Sequence, residues 1–212
     1  MIVNCFHHSQ ILPYVIDLNR PTFPSPLLID NQFTCLEYSQ MIDKQYLMKA
    51  SSPIQAPSFY LVSSNQSIIQ PIDTIISYSH LLQWSIFQST CDCILYQPIT
   101  SSNHHLIVLL HGGPHRLFHA SFNSDILFYI HKGYSVLVPN YHGSFGYGDH
   151  FLHSLCGAMG TIEVQDILNA IEIILHNPSY SIDPHKVCLM GSSYGGFLSL
   201  TLLERRPDLF YV

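Results

Sequence analysis

The stretch from Lys186 to Gly196, Lys-Val-Cys-Leu-Met-Gly-Ser-Ser-Tyr-Gly-Gly, constrains this chain more than any other. An apolar run of strand length leads straight into Gly-x-Ser-x-Gly, and helix-forming residues follow from Phe197 to Arg205 before Pro207 stops them. Joining a buried strand to a helix in so few residues calls for a sharp turn, and a serine at its apex stands clear of the backbone. A serine hydroxyl is a weak nucleophile and must be presented in this way before a base can take its proton. Gly191 and Gly195 suit the turn because side chains there would collide with the adjacent strand and helix. The frame selects Ser193 over Ser192 as the candidate nucleophile. The helix start behind it aims amide groups at the point where negative charge develops, and the Tyr194 amide is the first candidate donor. A Gly/Ser loop that merely joins two elements would share the composition, but not the strand before it and the helix after it.

Two further loops follow buried strands. Leu106 to Leu110 is a continuous apolar run, as expected of a strand covered on both faces, and His111-Gly112-Gly113-Pro114-His115 comes directly after it. An oxyanion hole needs two N–H donors converging on one point, and a His-Gly-Gly loop on an earlier strand supplies the second one in hydrolases built around such a serine turn. Gly113 is the preferred second donor and Gly112 the alternative; a plain Gly-Pro turn is the competing reading. His111 and His115 have no partner cluster for a metal and read as loop-packing residues, so neither metal nor cofactor is expected. The strand Tyr134 to Val138, expected to stop at Pro139, leads into Asn140-Tyr141-His142-Gly143-Ser144-Phe145-Gly146-Tyr147-Gly148. Glycines among aromatics suit a loop at the mouth of a cleft, with Tyr141 and His142 as candidate cleft residues beside His111 and Gly112. They also suit a structural crossover.

Between these loops the elements alternate. Residues 82–87 and 93–96 read as a hairpin, 122–131 as a helix closed by Lys132-Gly133, and 186–190 as a further strand. Val164, Ile167, Leu168, Ile171, Ile174 and Leu175 form one helical stripe, with Thr161 as the expected cap and Glu163 near the positive end. Strand, helix, strand, helix, strand, helix predicts a parallel sheet with right-handed crossovers and a site beyond the carboxyl ends of its strands. The fold class is α/β: residues 81–212 read as the N-terminal half of an α/β-hydrolase domain. Residues 1–80 carry no motif. Prolines at 13, 21, 24, 26, 53, 57 and 71 break every candidate helix there. Short runs at Ile11-Leu12, Tyr60-Leu61-Val62 and Ile75-Ile76 read as strands, which makes this segment a remnant of a β-rich neighbour such as a β-propeller, or an arm.

Composition narrows the function classes. Charged residues are only 10% of the chain, which suggests a surface normally covered by other protein, and the net charge of −6 offers no basic footprint for nucleic acid. The six cysteines form no CxxC pair and read as free thiols of a reducing compartment. The N-terminus lacks the basic and apolar regions of a signal peptide, and no run approaches the roughly 18 apolar residues of a membrane helix. A soluble, cytoplasmic protein without membrane partners is expected.

Five pieces in register, HGGPH (111–115), NYHGSFGYG (140–148), the helix start at Gly160 to Asp166, IDPHKV (182–187) and GSSYGG (191–196), resemble the prolyl oligopeptidase family of serine peptidases, and within it the acylaminoacyl-peptidase branch. The resemblance implies Ser193 as nucleophile, Gly113 and Tyr194 as oxyanion donors, and a β-propeller paired with the hydrolase domain. It also implies short N-acylated peptides as substrates and a homo-oligomer for the complete protein. Two departures stand out. The family has arginine where His142 stands, and histidine cannot reproduce the guanidinium fork. No histidine follows Ser193, and the only later acids, Glu204 and Asp208, are too near in sequence to sit on a later strand. The 212 residues alone are therefore expected to be nearly inactive and poorly soluble. A non-catalytic interaction subunit, joined through an open strand edge at 186–190, and a carboxylesterase-like or lipase-like hydrolase are the alternatives.

Overall fold

The computed structural model describes residues 2–15, 25–26, 34–42, 45–63, 68–72, 74–100 and 104–211. They group into two compact units, one of residues 1–79 with 119–123 and one of residues 80–118 with 124–212.

The first unit is strand-rich. Its strands are β1 (Ile2–His7), β2 (Gln10–Val15), β3 (Ser25–Pro26), β4 (Cys35–Ile42), β5 (Gln45–Ser52), β6 (Gln55–Val62) and β7 (Ile68–Pro71). They form one sheet in the order β1-β2-β4-β5-β6-β7, with β3 on β2. All neighbours are antiparallel except β2 and β4, which meet in parallel at Ile11 and Cys35. Leu12, Leu36, Met48, Ala50, Tyr60 and Val62 make its core, and the spacing of two in β5 and β6 is the pleat turning alternate side chains to one face. Of the expected strand runs, Ile11-Leu12 lies in β2 and residues 60–62 in β6. Ile75-Ile76 is exposed and outside any strand, next to an isolated bridge from Ser77 to Gln55. Pro13, Pro26, Pro57 and Pro71 sit inside strands, and Pro53 lies in the turn between β5 and β6. Pro57 falls in the irregular step of the β5–β6 ladder, between Ala50 opposite Ser58 and Ser52 opposite Gln55, where its missing N–H costs no regular rung. Pro21 and Pro24 lie outside the described residues.

The second unit contains β8 (Leu82–Gln88), β9 (Asp92–Pro98), β10 (His104–Leu110), β11 (Tyr134–Asn140) and β12 (Ile182–Gly191). Its helices are α1 (Ser124–His131), α2 (Asp149–His153), α3 (Ile162–His176) and α4 (Tyr194–Arg205). The sheet order is β12-β10-β11-β9-β8. β10 runs parallel to both β11 and β12, while β9 is antiparallel to β11 and β8. The sheet is therefore mixed rather than wholly parallel, because the β8–β9 hairpin extends it on one side. Leu95, Leu106, Val108 and Leu137 of the strands pack with Val164, Ile167, Ile171 and Ile174 of α3 and Leu198 and Leu202 of α4. The order places β11 and β12 on opposite sides of β10, so the loops after all three strands meet at the carboxyl end of the sheet.

Two local expectations are corrected. β11 does not stop at Pro139; it continues to Asn140 on its β9 ladder, because its ladder with β10 already ends at Leu137. Thr161 does not cap α3 with its side chain: its hydroxyl turns back to the Ala158 carbonyl, and the Glu163 carboxylate accepts the Gly160 and Thr161 amides instead. Among the described residues no helix is long and apolar enough to cross a membrane.

Candidate active site

β12 ends at Gly191 and α4 begins at Tyr194, so two residues make the whole turn. Ser193 sits at the turn with φ 56° and ψ −121°, exposed, and its side chain makes no capping hydrogen bond. A non-glycine residue held there costs about 1–3 kcal/mol and persists only where its surroundings impose it. Two close approaches do so. A Cβ on Gly195 would overlap the carbonyl oxygen of Leu110, and a Cβ on Gly191 would overlap the backbone of Gly195. The Tyr194 amide, in the first turn of α4, has no acceptor within its own helix.

The loop after β10 lies against this turn. A Cβ on Gly112 would stand 2.8 Å from the Ser192 carbonyl oxygen and 3.3 Å from the Ser193 Cβ. Gly113 adopts φ 56°, and its carbonyl accepts the Arg116 amide at 2.8 Å, closing a tight turn. The structure thus brings Gly112, Gly113, Ser193 and Tyr194 to the same end of the sheet. Beside them is a cavity of about 390 Å3 lined by Leu109, His111, Leu117, Phe118, Met190 and Ser192 among others. A larger groove of about 530 Å3 lies between α1 and the β12 edge, lined mainly by apolar residues such as Phe128 and Met190, and does not include Ser193.

His111 and Tyr141 support the glycine loop. Their rings stack at 4.2 Å and 15°, and both are buried. The Ser144 hydroxyl donates to the Tyr141 carbonyl and lies 3.0 Å from His111 Nε2. The Tyr141 hydroxyl donates to the His111 carbonyl at 2.8 Å and lies 3.0 Å from His111 Nδ1, so each ring nitrogen faces a hydroxyl. Burial pushes the His111 imidazole down to about 4, so it is neutral at physiological pH. Both residues act beneath the cleft loop, holding the turn from which Gly112 and Gly113 project. His115 meets the Gly143 carbonyl at 3.1 Å and tilts over Phe145. Among the described residues no group of three metal-ligating side chains occurs.

His142 does find a fixed partner. The buried Asp166 carboxylate accepts both its Nδ1–H at 2.6 Å and its backbone N–H at 2.8 Å, and its ring stacks on Phe151 at 4.2 Å. The backbone amide supplies the second contact that a single ring nitrogen lacks. Reading the sequence missed two carboxylate contacts, this one and that of Glu163, which accepts the Tyr194 hydroxyl at 2.6 Å. A signal for both existed: Glu163 and Asp166 are spaced i, i+3 and flank Val164 and Ile167, so they share the buried side of α3. It also missed Asn140, fully buried, whose amide exchanges two hydrogen bonds with the Phe118 backbone and ties the glycine loop to β11.

A glycine-bounded serine turn between a parallel strand and a helix, with a glycine loop from the neighbouring strand against it, defines the first half of an α/β-hydrolase catalytic domain. Residues 120–212 match the sequence model of the prolyl oligopeptidase family, Peptidase_S9, and that part of the chain belongs to this family. Acylamino-acid-releasing enzyme 2 of Oryza sativa subsp. japonica is 32% identical over 185 residues, covering 84% of this chain and 22% of the relative. The acylamino-acid-releasing enzyme of Arabidopsis thaliana is 42% identical over 106 residues, 50% of this chain and 14% of the relative. The solved acylaminoacyl peptidase of Pyrococcus horikoshii superposes with a TM-score of 0.81 at 21% identity, over 99% of this chain and 34% of that one, and shows the same fold. The chain thus spans less than a quarter of these curated relatives.

Proposed function

We propose that this chain carries the nucleophile and oxyanion hole of a serine peptidase of the acylaminoacyl-peptidase type. The observation that carries the reading is the exposed Ser193 hydroxyl on a strained turn, backed by an unbonded helix amide and faced by a glycine loop. Ser193 Oγ attacks the carbonyl carbon of an N-acylated first residue as a base takes its proton. The Tyr194 and Gly113 amides receive the oxyanion, with Gly112 as the alternative to Gly113. Collapse expels the peptide amine, which takes up a proton, and water then cleaves acyl-Ser193 to release the N-acylated amino acid. Substrates are short N-acylated peptides, in the cytoplasm, and the complete protein is a homo-oligomer.

None of the 14 histidines follows Ser193, whereas α/β-hydrolases place acid and histidine after the nucleophile. The reading assigns base and acid to polypeptide other than these 212 residues. The chain alone is then slower by several powers of ten. The test is labelling of residues 1–212 with a fluorophosphonate, with and without imidazole as a diffusible base, beside Ser193→Ala. The expected result is no labelling without imidazole, and slow labelling with it that Ser193→Ala abolishes. Equal labelling of the variant, or none in either condition, refutes the nucleophile; fast labelling without imidazole refutes the missing base.

A second reading, association of this chain through β12, is favoured by one observation. Among the described residues the only strand laddered to β12 is β10; its other edge takes the Tyr211 amide on the Val187 carbonyl at 2.8 Å and is flanked by exposed Met190 and Leu200. Sedimentation that gives a stable monomer at micromolar concentration excludes it.

A further inference from the structure

We propose that Glu163 is a positioning residue for the oxyanion hole, acting through the Tyr194 side chain on the Tyr194 amide. The inference rests on the reading of Ser193 and Tyr194 given above. Glu163 is fully buried, which for a carboxylate is costly unless its oxygens are satisfied. Oε1 accepts the Tyr194 hydroxyl at 2.6 Å and the Gly160 amide, and Oε2 accepts the Thr161 amide at 3.2 Å. The two amides belong to the turn that opens α3, and they alone would satisfy an N-terminal carboxylate. The third donor is different in kind: it is the side chain of the residue next to the candidate nucleophile.

The contact has a counterpart at the other end of α4. Arg205, its last residue, donates through Nη2 to the Gly160 carbonyl. The α3 turn therefore grips α4 at its first and last residues, through groups attached to neighbouring positions, Gly160 and Glu163. The Tyr194 ring is held on its other sides by Tyr141 and Phe197, with centroids 6.4 and 5.4 Å away. Tyr141 is the residue that supports the glycine loop, so the two candidate donor segments share one aromatic contact. A side chain fixed at its hydroxyl end and along its ring leaves the backbone of a strained turn little room to relax. The direction of the Tyr194 N–H is fixed as a result.

Tyr194→Phe removes only the hydroxyl and leaves the backbone amide. Glu163→Gln keeps one acceptor oxygen, and Ile174→Val trims the buried face of the same helix α3 away from the turn. The readouts are the imidazole-assisted labelling rate of Ser193, the thermal midpoint, and hydrogen exchange of the segment 190–198. Tyr194→Phe is expected to slow labelling about tenfold and to speed exchange of that segment, with a midpoint no lower than that of Ile174→Val. The double variant Glu163→Gln/Tyr194→Phe is expected to be no slower than the slower single one, because both break the same contact. Labelling that follows the midpoint across all variants, Ile174→Val included, overturns the proposal, as does a wild-type rate in Tyr194→Phe. Should the unsubstituted chain resist labelling, the nucleophile reading fails, and exchange alone decides for Glu163. Faster exchange of 190–198 in Tyr194→Phe than in Ile174→Val supports the contact as the clamp of this turn, and equal exchange overturns it.

Discussion

Strands β6 and β10 are similar in length and differ in what they do with their side chains. From Leu106 to Leu110 of β10 only Leu109 is less than buried, because neighbouring strands flank it and helices cover the sheet. In β6 the buried residues are Ser58, Tyr60 and Val62, while Pro57 and Phe59 on either side of Ser58 are exposed and Leu61 is half-buried. A strand covered on both faces spells itself as an unbroken apolar run. One covered on a single face spells itself as an alternation, which polar core residues such as Ser58 and irregular steps such as that at Pro57 soon blur. The same contrast separates the sites: the second unit places strained and glycine-dependent backbone at the ends of its strands, and the first carries no comparable cluster among the described residues.

The largest expected effect falls where that backbone is tightest. Gly195→Val puts a branched side chain onto the carbonyl oxygen of Leu110, the last residue of a central strand that cannot withdraw, and onto that of His111 directly after it. A loss of more than about 4 kcal/mol is expected, seen as loss of the cooperative transition of the second unit in urea. Gly133→Ala, at φ 87° with nothing within 4 Å, is expected to lose only about 1–2 kcal/mol. Near-equal losses would mean that the close approach of turn and strand is not what holds Ser193. Next in size are core truncations. Leu106→Ala, at a fully buried position of β10, should cost about 2–5 kcal/mol, and Leu12→Ala in β2, with 7% of its surface exposed, should fall at or below the bottom of that range. The reverse order would break the distinction between the two sheets.

These elements also show what could be read without coordinates. The serine turn, the glycine loop and the stripe of α3 were legible because each combines a local signal with a period: glycines at a fixed offset, or Val164, Ile167, Ile171 and Ile174 at helical spacing. The parallel run of β10, β11 and β12 followed from alternation of strand and helix, but their order in the sheet did not. The first sheet was not legible as a sheet, since its β2–β4 pairing is parallel and joins residues distant in sequence, Ile11 and Cys35, with no local turn signal between them. The end of β11 was misplaced because whether proline stops a strand depends on which ladder still needs its N–H, and that is a fact about neighbours. The contacts of Glu163, Asp166 and Asn140 escaped for a related reason. Each side chain acts on a loop at least 20 residues away, so nothing local announces the partner.

The buried imidazole gives a pH-dependent comparison. His111 is held down to about 4 by burial, against roughly 6.5 in an unfolded chain. The unfolded state therefore binds the extra proton between these values. The contribution of His111 is fully present above pH 6.5 and is lost as pH falls toward 4, by at most about 3 kcal/mol. In the first unit burial also lowers His119, with the same sign. Urea midpoints measured from pH 7 to pH 4 should fall in the unsubstituted protein, and His111→Asn should flatten that fall for the second unit only. A slope unchanged by His111→Asn would place the proton uptake elsewhere.

The smallest effect belongs to the exposed face of the first sheet. Glu37 and Lys49 stand directly opposite each other on β4 and β5, with Oε1 and Nζ 3.9 Å apart and side chains 39% and 42% exposed. Cross-strand opposition favours the pair, but water screens it and both long side chains lose rotamer freedom to make it. Glu37→Gln is expected to cost less than about 0.5 kcal/mol in low salt, and the difference should vanish in 1 M NaCl, where the screening length is about 3 Å. Cys35 reports on the same carboxylate: its thiol is pushed up to about 12, by burial first and by Glu37 second. Glu37→Gln should therefore ease thiolate formation at Cys35 only slightly, measured as a small rise in its alkylation rate at high pH. A stability loss above about 1 kcal/mol that survives high salt would show that Glu37 is held away from water. The outer face of the first sheet would then be covered like the faces of the second, and the contrast between one-sided and two-sided burial would fail at this strand pair.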